Sequence, residues 1–164
     1  MSVDTAGTSA VVGFGWVTYG LLTARPYVSL ATGASAVTFT LIALTALRYG
    51  REVRELRITP LWFAVLSLGA VLAGTNGLGL ILPVSVLVAN VPQLWIAWRE
   101  DNLADLSLGT WLLSVSDGLV GEMYALIRHD IPILVFGLLQ LATSGLIVGL
   151  KVGRKATQKA RMER

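Results

Sequence analysis

Residues 78–98 read LGLILPVSVLVANVPQLWIAW. A helix needs about 20 mostly apolar residues to cross the hydrocarbon of a bilayer, and this stretch has that length with no charged side chain in it. Its apolar residues run continuously instead of alternating, which argues against a strand of a membrane β-barrel. Five further stretches resemble it, at about 7–23, 27–48, 60–75, 108–127 and 131–150. Between them lie TARP (23–26), RYGREVRELR (48–57), TNG (75–77), REDNLAD (99–105) and IRHD (127–130). Connections so short leave no room for a soluble domain.

Composition points the same way. Of 164 residues, 54% are apolar and only 14% charged, and the mean hydropathy is +0.69. Soluble domains carry about 25% charged residues. The chain is too apolar to be disordered. With no Cys and one His, a disulfide scaffold, a thiolate metal site, a Cys nucleophile, a His-rich metal site and a Ser-His hydrolase are all disfavoured. The start, MSVDTAG, lacks the basic region of a signal peptide, so the first span is expected to act as its own insertion signal.

Charge sets the orientation. Basic residues collect on the cytoplasmic side. Arg48, Arg51, Arg54 and Arg57 follow the second stretch, Arg99 the fourth, and Lys151, Arg154, Lys155, Lys159, Arg161 and Arg164 the sixth. These are eleven of the thirteen Lys and Arg residues; Arg25 and Arg128 remain for the other side. Six spans with both termini cytoplasmic satisfy every loop. The basic tail then reads as a topology anchor touching anionic lipid, not as a nucleic-acid arm.

The chain also repeats itself. At an offset of 105 residues, Ser2, Thr5, Ser9, Gly13, Tyr19 and Leu21 meet Ser107, Thr110, Ser114, Gly118, Tyr124 and Leu126, and Thr38, Leu41 and Ile42 meet Thr143, Leu146 and Ile147. Each copy has a Tyr near its outer end, a short loop and then a Pro (Pro26, Pro132). Both copies cross in the same direction, so the repeats are parallel. The second copy is preceded by the stretch 78–98, with Asn90-Val91-Pro92-Gln93 in its second half. No counterpart precedes the first copy, and we expect one helix fewer there.

These residues resemble the PQ-loop superfamily and, within it, the SWEET and SemiSWEET sugar transporters. The likeness rests on Val91-Pro92-Gln93-Leu94, Asp105-Leu106-Ser107 and Tyr124-Ala125-Leu126, with Trp16-x-x-Tyr19-Gly20-Leu21 in the first copy. It implies alternating access through a pocket between two three-helix units. Three departures stand out. The first Pro-Gln helix is missing, the family's Trp falls on Gly121 in the second copy, and its pocket Asn falls on Thr32 and Gly137.

The expected fold is therefore all-α and integral to the membrane. Two parallel three-helix-bundle repeats are joined by a linker helix, the first repeat lacking its first helix. The truncated repeat covers 1–50, the linker helix 58–77, the second repeat 78–151 and the basic tail 152–164. We expect the plasma membrane of a prokaryote. The unfilled side of the first repeat predicts a homo-oligomer, most simply a dimer.

Within that frame, residues 108–127 carry the chemistry. At 100° per residue, Ser107, Thr110, Ser114, Asp117, Gly121 and Tyr124 share one face. Asp117 falls near the bilayer centre, where an ionisable group is expensive and must face protein or water. It reads as a cavity-lining group, or as one satisfied between helices. Glu122 lies about 140° away around the helix and reads as a seam residue. Pro92, with Gln93 beside it, reads as a hinge or a static kink. Asn90 suits a ligand hydroxyl or helix–helix glue. Trp16 and Tyr19 share a face suited to a sugar ring or to packing. Trp62, Trp95, Trp98 and Trp111 read as interfacial belt residues, and His129 as a solvated loop residue. The glycines Gly7, Gly13, Gly15, Gly20, Gly33 and those at 74–79 read as close helix approaches or turns, and Ser107 as an N-cap.

The candidate substrate-binding set is Trp16, Thr32, Asn90, Asp117, Gly121 and Gly137, with Pro92 and Gln93 as hinge and Tyr19, Ser114 and Tyr124 lining the cavity. No cofactor, metal or enzymatic chemistry is expected. The function read from the sequence is transport of a small polar solute, a sugar first. A PQ-loop amino-acid carrier using Asp117 as counter-charge or proton site is the alternative, and a non-transporting receptor or subunit of the same fold the third reading.

Overall fold

The structure, a computed structural model, describes residues 3–50, 52–99 and 107–162, with side chains at all of these but Arg54 and 155–162. Ser2, Arg51, Asp105, Leu106 and Arg164, which entered the repeat, charge and loop readings, lie outside the described residues.

Among the described residues every element is helical. The order is α1 (Val3–Leu22), α2 (Pro26–Arg48), a 3-10 turn (Val53–Glu55), α3 (Ile58–Arg99), α4 (Leu108–Arg128) and α5 (Ile131–Met162). Three segments, α2, α3 and Ile131–Arg154 of α5, are long and apolar enough to cross a membrane, with mean hydropathies of 1.8, 1.9 and 2.1. They mark an integral membrane protein. The helices α1 and α4, expected as spans, have the length but fall short of that hydropathy. Their sequences say why: α1 carries Thr5, Thr8, Ser9, Thr18 and four glycines, and α4 carries Thr110, Ser114, Ser116, Asp117 and Glu122. At its far end α5 outruns the expected 131–150. The segment KVGRKATQKARM has no proline and several good helix formers, so nothing stops the helix at the apolar boundary.

The 42 residues of α3 are not one rod. Gly74 has φ 57° and ψ −132°, a conformation open to glycine and strained for other residues. Contacts show the chain folding back there. A β-carbon built on Gly77 would collide with the Gly69 carbonyl oxygen, although eight residues of straight helix span about 12 Å. A β-carbon on Gly15 would lie 3.4 Å from Leu66 Cδ1 and 2.7 Å from Leu82 Cδ2, two residues that a straight helix would hold roughly 24 Å apart. So α3 has two limbs, 58–73 and 75–99. The expected break at Thr75-Asn76-Gly77 is real, but it sits at Gly74, and Thr75 already belongs to the second limb. Pro83 and Pro92 lie inside that limb, and Gly74 holds the non-helical φ/ψ within α3.

Contacts divide the chain between Leu82 and Pro83. In the first unit α1 runs along α2, and in the second α4 runs along α5. The two hairpins share their helix starts, turn positions and crossing points at the 105-residue offset. Helix starts Val3 and Pro26 correspond to Leu108 and Ile131. The non-glycine residues with positive φ among those described are Ala24 (56°) and His129 (51°), one at each hairpin turn. The Arg25 N–H donates to the Gly20 carbonyl at 2.7 Å, and the Asp130 N–H to the Ala125 carbonyl at 3.0 Å. Ala6, Gly13 and Gly20 are buried in α1, as Trp111, Gly118 and Ala125 are in α4. A β-carbon on Gly13 would sit 2.8 Å from Ala36 Cβ, and one on Gly118 2.9 Å from Leu141 Cγ; Ala36 and Leu141 are again 105 apart. Small residues thus set where each helix pair crosses.

Caps fix the ends. The Ser107 hydroxyl accepts from the Thr110 N–H at 3.4 Å, as an N-cap should. Asp130 caps α5 by accepting from the Ile133 N–H at 3.1 Å, and it is buried, unlike its exposed neighbour His129. The cap of α3 comes from far away in sequence. Asp4 accepts from the N–H groups of Arg57, Ile58 and Thr59 at 2.9 to 3.1 Å and from the Thr59 hydroxyl at 2.9 Å. This places the start of α1 beside the end of the loop 48–57.

Burial alone would raise the Asp4 carboxyl, but these donors outweigh it and hold it below the ordinary aspartate range. A carboxyl with a lowered native pKa stabilises the fold fully above its unfolded value, about pH 3.9, and the contribution disappears as pH falls through the lowered native value. Asp4→Ala should therefore cost about 1 kcal/mol near neutral pH. In denaturant titrations in detergent, the gap between variant and wild type should close in strong acid and stay constant from pH 6 to pH 8. A gap that persists undiminished in acid would refute the cap.

Candidate functional site

The polar stripe of α4 is a consequence of how α4 meets α5. The buried seam runs through Trp111, Gly118 and Ala125, seven residues apart. The stripe from Ser107 to Tyr124 lies roughly 70° around the helix from that seam at 100° per residue. Ser107, Thr110 and Asp117 are exposed, and Ser114, Gly121 and Tyr124 half-buried. The Asp117 carboxylate has no hydrogen-bond partner among the described residues, and the Tyr124 hydroxyl is buried without one. Gly121 has only Phe136 within reach, 3.9 Å from where its β-carbon would be. This unit leaves a carboxylate, hydroxyls and a glycine gap on one strip of surface. Such a strip can accept and donate hydrogen bonds to a polar solute.

Gly137 belongs to the helix crossing. A β-carbon there would lie 2.9 Å from the Glu122 nitrogen and 3.0 Å from the Gly118 carbonyl oxygen. Glu122 thus sits at the seam, as its position around the helix suggested.

In the first unit the equivalent aromatic pair is covered. Trp16 and Tyr19 are each 5% exposed and meet edge to face, ring centroids 5.6 Å apart at 89°. The Thr32 hydroxyl donates to the Val28 carbonyl at 2.7 Å. A groove of about 390 Å³ opens on another face of α1, lined by Val11, Phe14 and Thr18 with Phe63 and Ser67 of α3. It is nearly all apolar and includes none of the sequence-derived site residues.

Asn90 stands in a network that the sequence reading did not assemble. Its amide donates to Gln140 Oε1 at 3.1 Å and to the Thr143 hydroxyl at 2.8 Å, and Thr143 in turn donates to the Leu139 carbonyl at 2.7 Å. Asn90 and Thr143 are buried. The network ties the second limb of α3 to α5, the helix-glue alternative for Asn90. Gln140 carried a usable signal as the one long polar side chain within 131–150. Pro92 is exposed and Gln93 half-buried. Trp111, expected in an interfacial belt, is instead in the core with Ala97 and Ile147, whereas Trp95 and Trp98 are exposed. Interhelical hydrogen bonds in membranes average about 0.6 kcal/mol and reach about 1.7. Asn90→Leu breaks two and strands their partners, so it should lower unfolding free energy by about 1–2 kcal/mol. An unchanged denaturation midpoint in detergent would show the network to be dispensable.

Among the described residues no group of three His, Cys, Asp or Glu gathers as a metal site. Comparison with protein-family models, characterised proteins and solved structures finds no match to this chain.

Proposed function

We propose that the chain is a membrane transporter that moves a small polar solute, a sugar first, by alternating access, in the PQ-loop class. The observation that carries the reading is the repeated hairpin. Two helix pairs share helix starts, turn positions, a cap-like backbone bond and a glycine crossing point at one offset. Internal repeats that move as units are a common build among carriers, which supports this reading. The Pro-Gln, Ser107 and Tyr124 motifs of the second repeat favour the same class. The α4 strip supplies the polar groups that a solute's hydroxyls need, and transport requires no covalent chemistry. In this reading α1 and α4 also cross the membrane, both termini are cytoplasmic, and two copies assemble to cover the first repeat.

One observation favours a second reading. Asp117 lies in the middle of the strip with no partner among the described residues, so a cationic or zwitterionic amino acid, or a proton, would find a counter-charge there. Proteoliposomes containing this chain alone test the proposal. Labelled glucose or sucrose should equilibrate across the bilayer faster than in protein-free vesicles. Flux of a basic amino acid without sugar flux would select the second reading, and no flux of any tested solute would reject transport by this chain.

A further inference from the structure

The second unit gathers positive charge at the end where α3 stops. Arg154 of α5 donates from Nη2 to the Trp98 carbonyl at 2.6 Å, satisfying one of the last carbonyls of α3. Its Nη1 is buried with no hydrogen-bond partner among the described residues, so Arg154 contributes its charge beside the exposed Arg99 and not that donor. Arg99, the last residue of α3, places its guanidinium 4.4 Å from the centroid of the Trp95 ring. Two cations therefore meet one helix turn. The helix C-terminus offers only about half a negative charge in return, and neither guanidinium has a carboxylate partner among the described residues. A guanidinium has five N–H donors in a planar fork that matches phosphate. Trp95 and Trp98 are 58% and 69% exposed. Exposed Trp at the end of an apolar helix lies at headgroup depth, which brings the exposed Arg99 guanidinium to the level of lipid phosphates.

We infer that Arg99 and Arg154, with the exposed rings of Trp95 and Trp98, form a binding site for the phosphate of an anionic phospholipid in the cytoplasmic leaflet. The occupant is a lipid and not a soluble phosphate because the two rings give acyl and glycerol groups a surface beside the cations. The site concerns the second unit's hold on the membrane and does not depend on what the chain transports.

Native mass spectrometry of the purified full chain, equilibrated with phosphatidylglycerol and phosphatidylcholine, reads the site directly. A basic side chain near an anionic surface is worth about fivefold in affinity, so two give about thirtyfold preference for phosphatidylglycerol. R99Q/R154Q should bring that preference close to parity. R99K/R154K keeps the charge but not the fork and should retain a preference between parity and wild type, and K159Q/R161Q in the tail should leave it nearly unchanged. If R99Q/R154Q does not fold, the lysine pair decides by salt: its preference should fall as ionic strength rises, and a salt-independent preference overturns the site. Undiminished preference in R99Q/R154Q, or its loss in K159Q/R161Q, also overturns it. Inorganic phosphate should not displace the bound lipid, and displacement would mean a free-anion site instead. Bound lipid is the readout throughout, so a failure of the transport proposal leaves this result interpretable.

Discussion

Gly137→Val should cost the second unit about 3 kcal/mol, at the upper end of what overpacking usually costs. Gly145→Val on the same helix should change stability by less than about 0.5 kcal/mol. The substitutions are chemically identical, so helix propensity cancels between them. What differs is the space. A β-carbon at 137 meets the backbone of α4 at 2.9 and 3.0 Å, and one at 145 meets nothing within 4 Å. Backbone atoms cannot swing aside as a side chain can, so α4 and α5 would have to separate. That would open the seam through Gly118. Gly13→Val should reproduce the effect in the first unit, where Ala36 blocks the equivalent site. Denaturation midpoints in one detergent check all three. Equal midpoints for the 137 and 145 variants would mean that the crossing is not tight.

Asp117 carries the second large effect. In the proposed carrier for a neutral solute, the carboxylate serves as a hydrogen-bond acceptor on the α4 strip. A hydrogen bond to a charged group is worth about 1.5–3 kcal/mol, so Asp117→Leu should slow flux about tenfold to a hundredfold. Asp117→Asn keeps the shape and one acceptor oxygen, and flux should fall less than about threefold with no change in its pH profile. Uptake into proteoliposomes from mildly acidic to mildly basic pH distinguishes the outcomes. If Asp117→Asn abolishes a pH-dependent uphill uptake, the amino-acid or proton-coupled reading replaces the sugar reading. Unchanged flux in both variants removes Asp117 from the solute path.

Much of the helical layout was legible because apolar runs and short polar joints report on burial in lipid. The glycine crossings at 13 and 118 were visible as a pairing in the repeat, and Ser107 as a cap from local chemistry alone. The unseen features depend on contacts distant in sequence. Nothing in the first residues says that Asp4 will cap a helix more than fifty residues away. Nothing in an alanine says that Ala24 will take a left-handed conformation; the turn geometry shared with His129 imposes it. Trp111 near a span end satisfies the interfacial pattern as well as the core one, and only the neighbours Ala97 and Ile147 decide. Periodicity found the strip of α4 but not which face α5 would cover. That choice follows from where the small residues allow close approach. Gln140 was readable as an oddity in an apolar helix, yet its pairing with Asn90 needed the fold of α3 against α5.

Alternating access makes one demand that neither a channel nor a receptor makes. A carrier returns faster when solute is present on the far side. Proteoliposomes made with this chain alone, preloaded with unlabelled solute and diluted into a trace of the labelled form, measure it. The account predicts transient accumulation of label above its external concentration, followed by decay as the preload drains. Label that only equilibrates, at a rate indifferent to the preload, would contradict it.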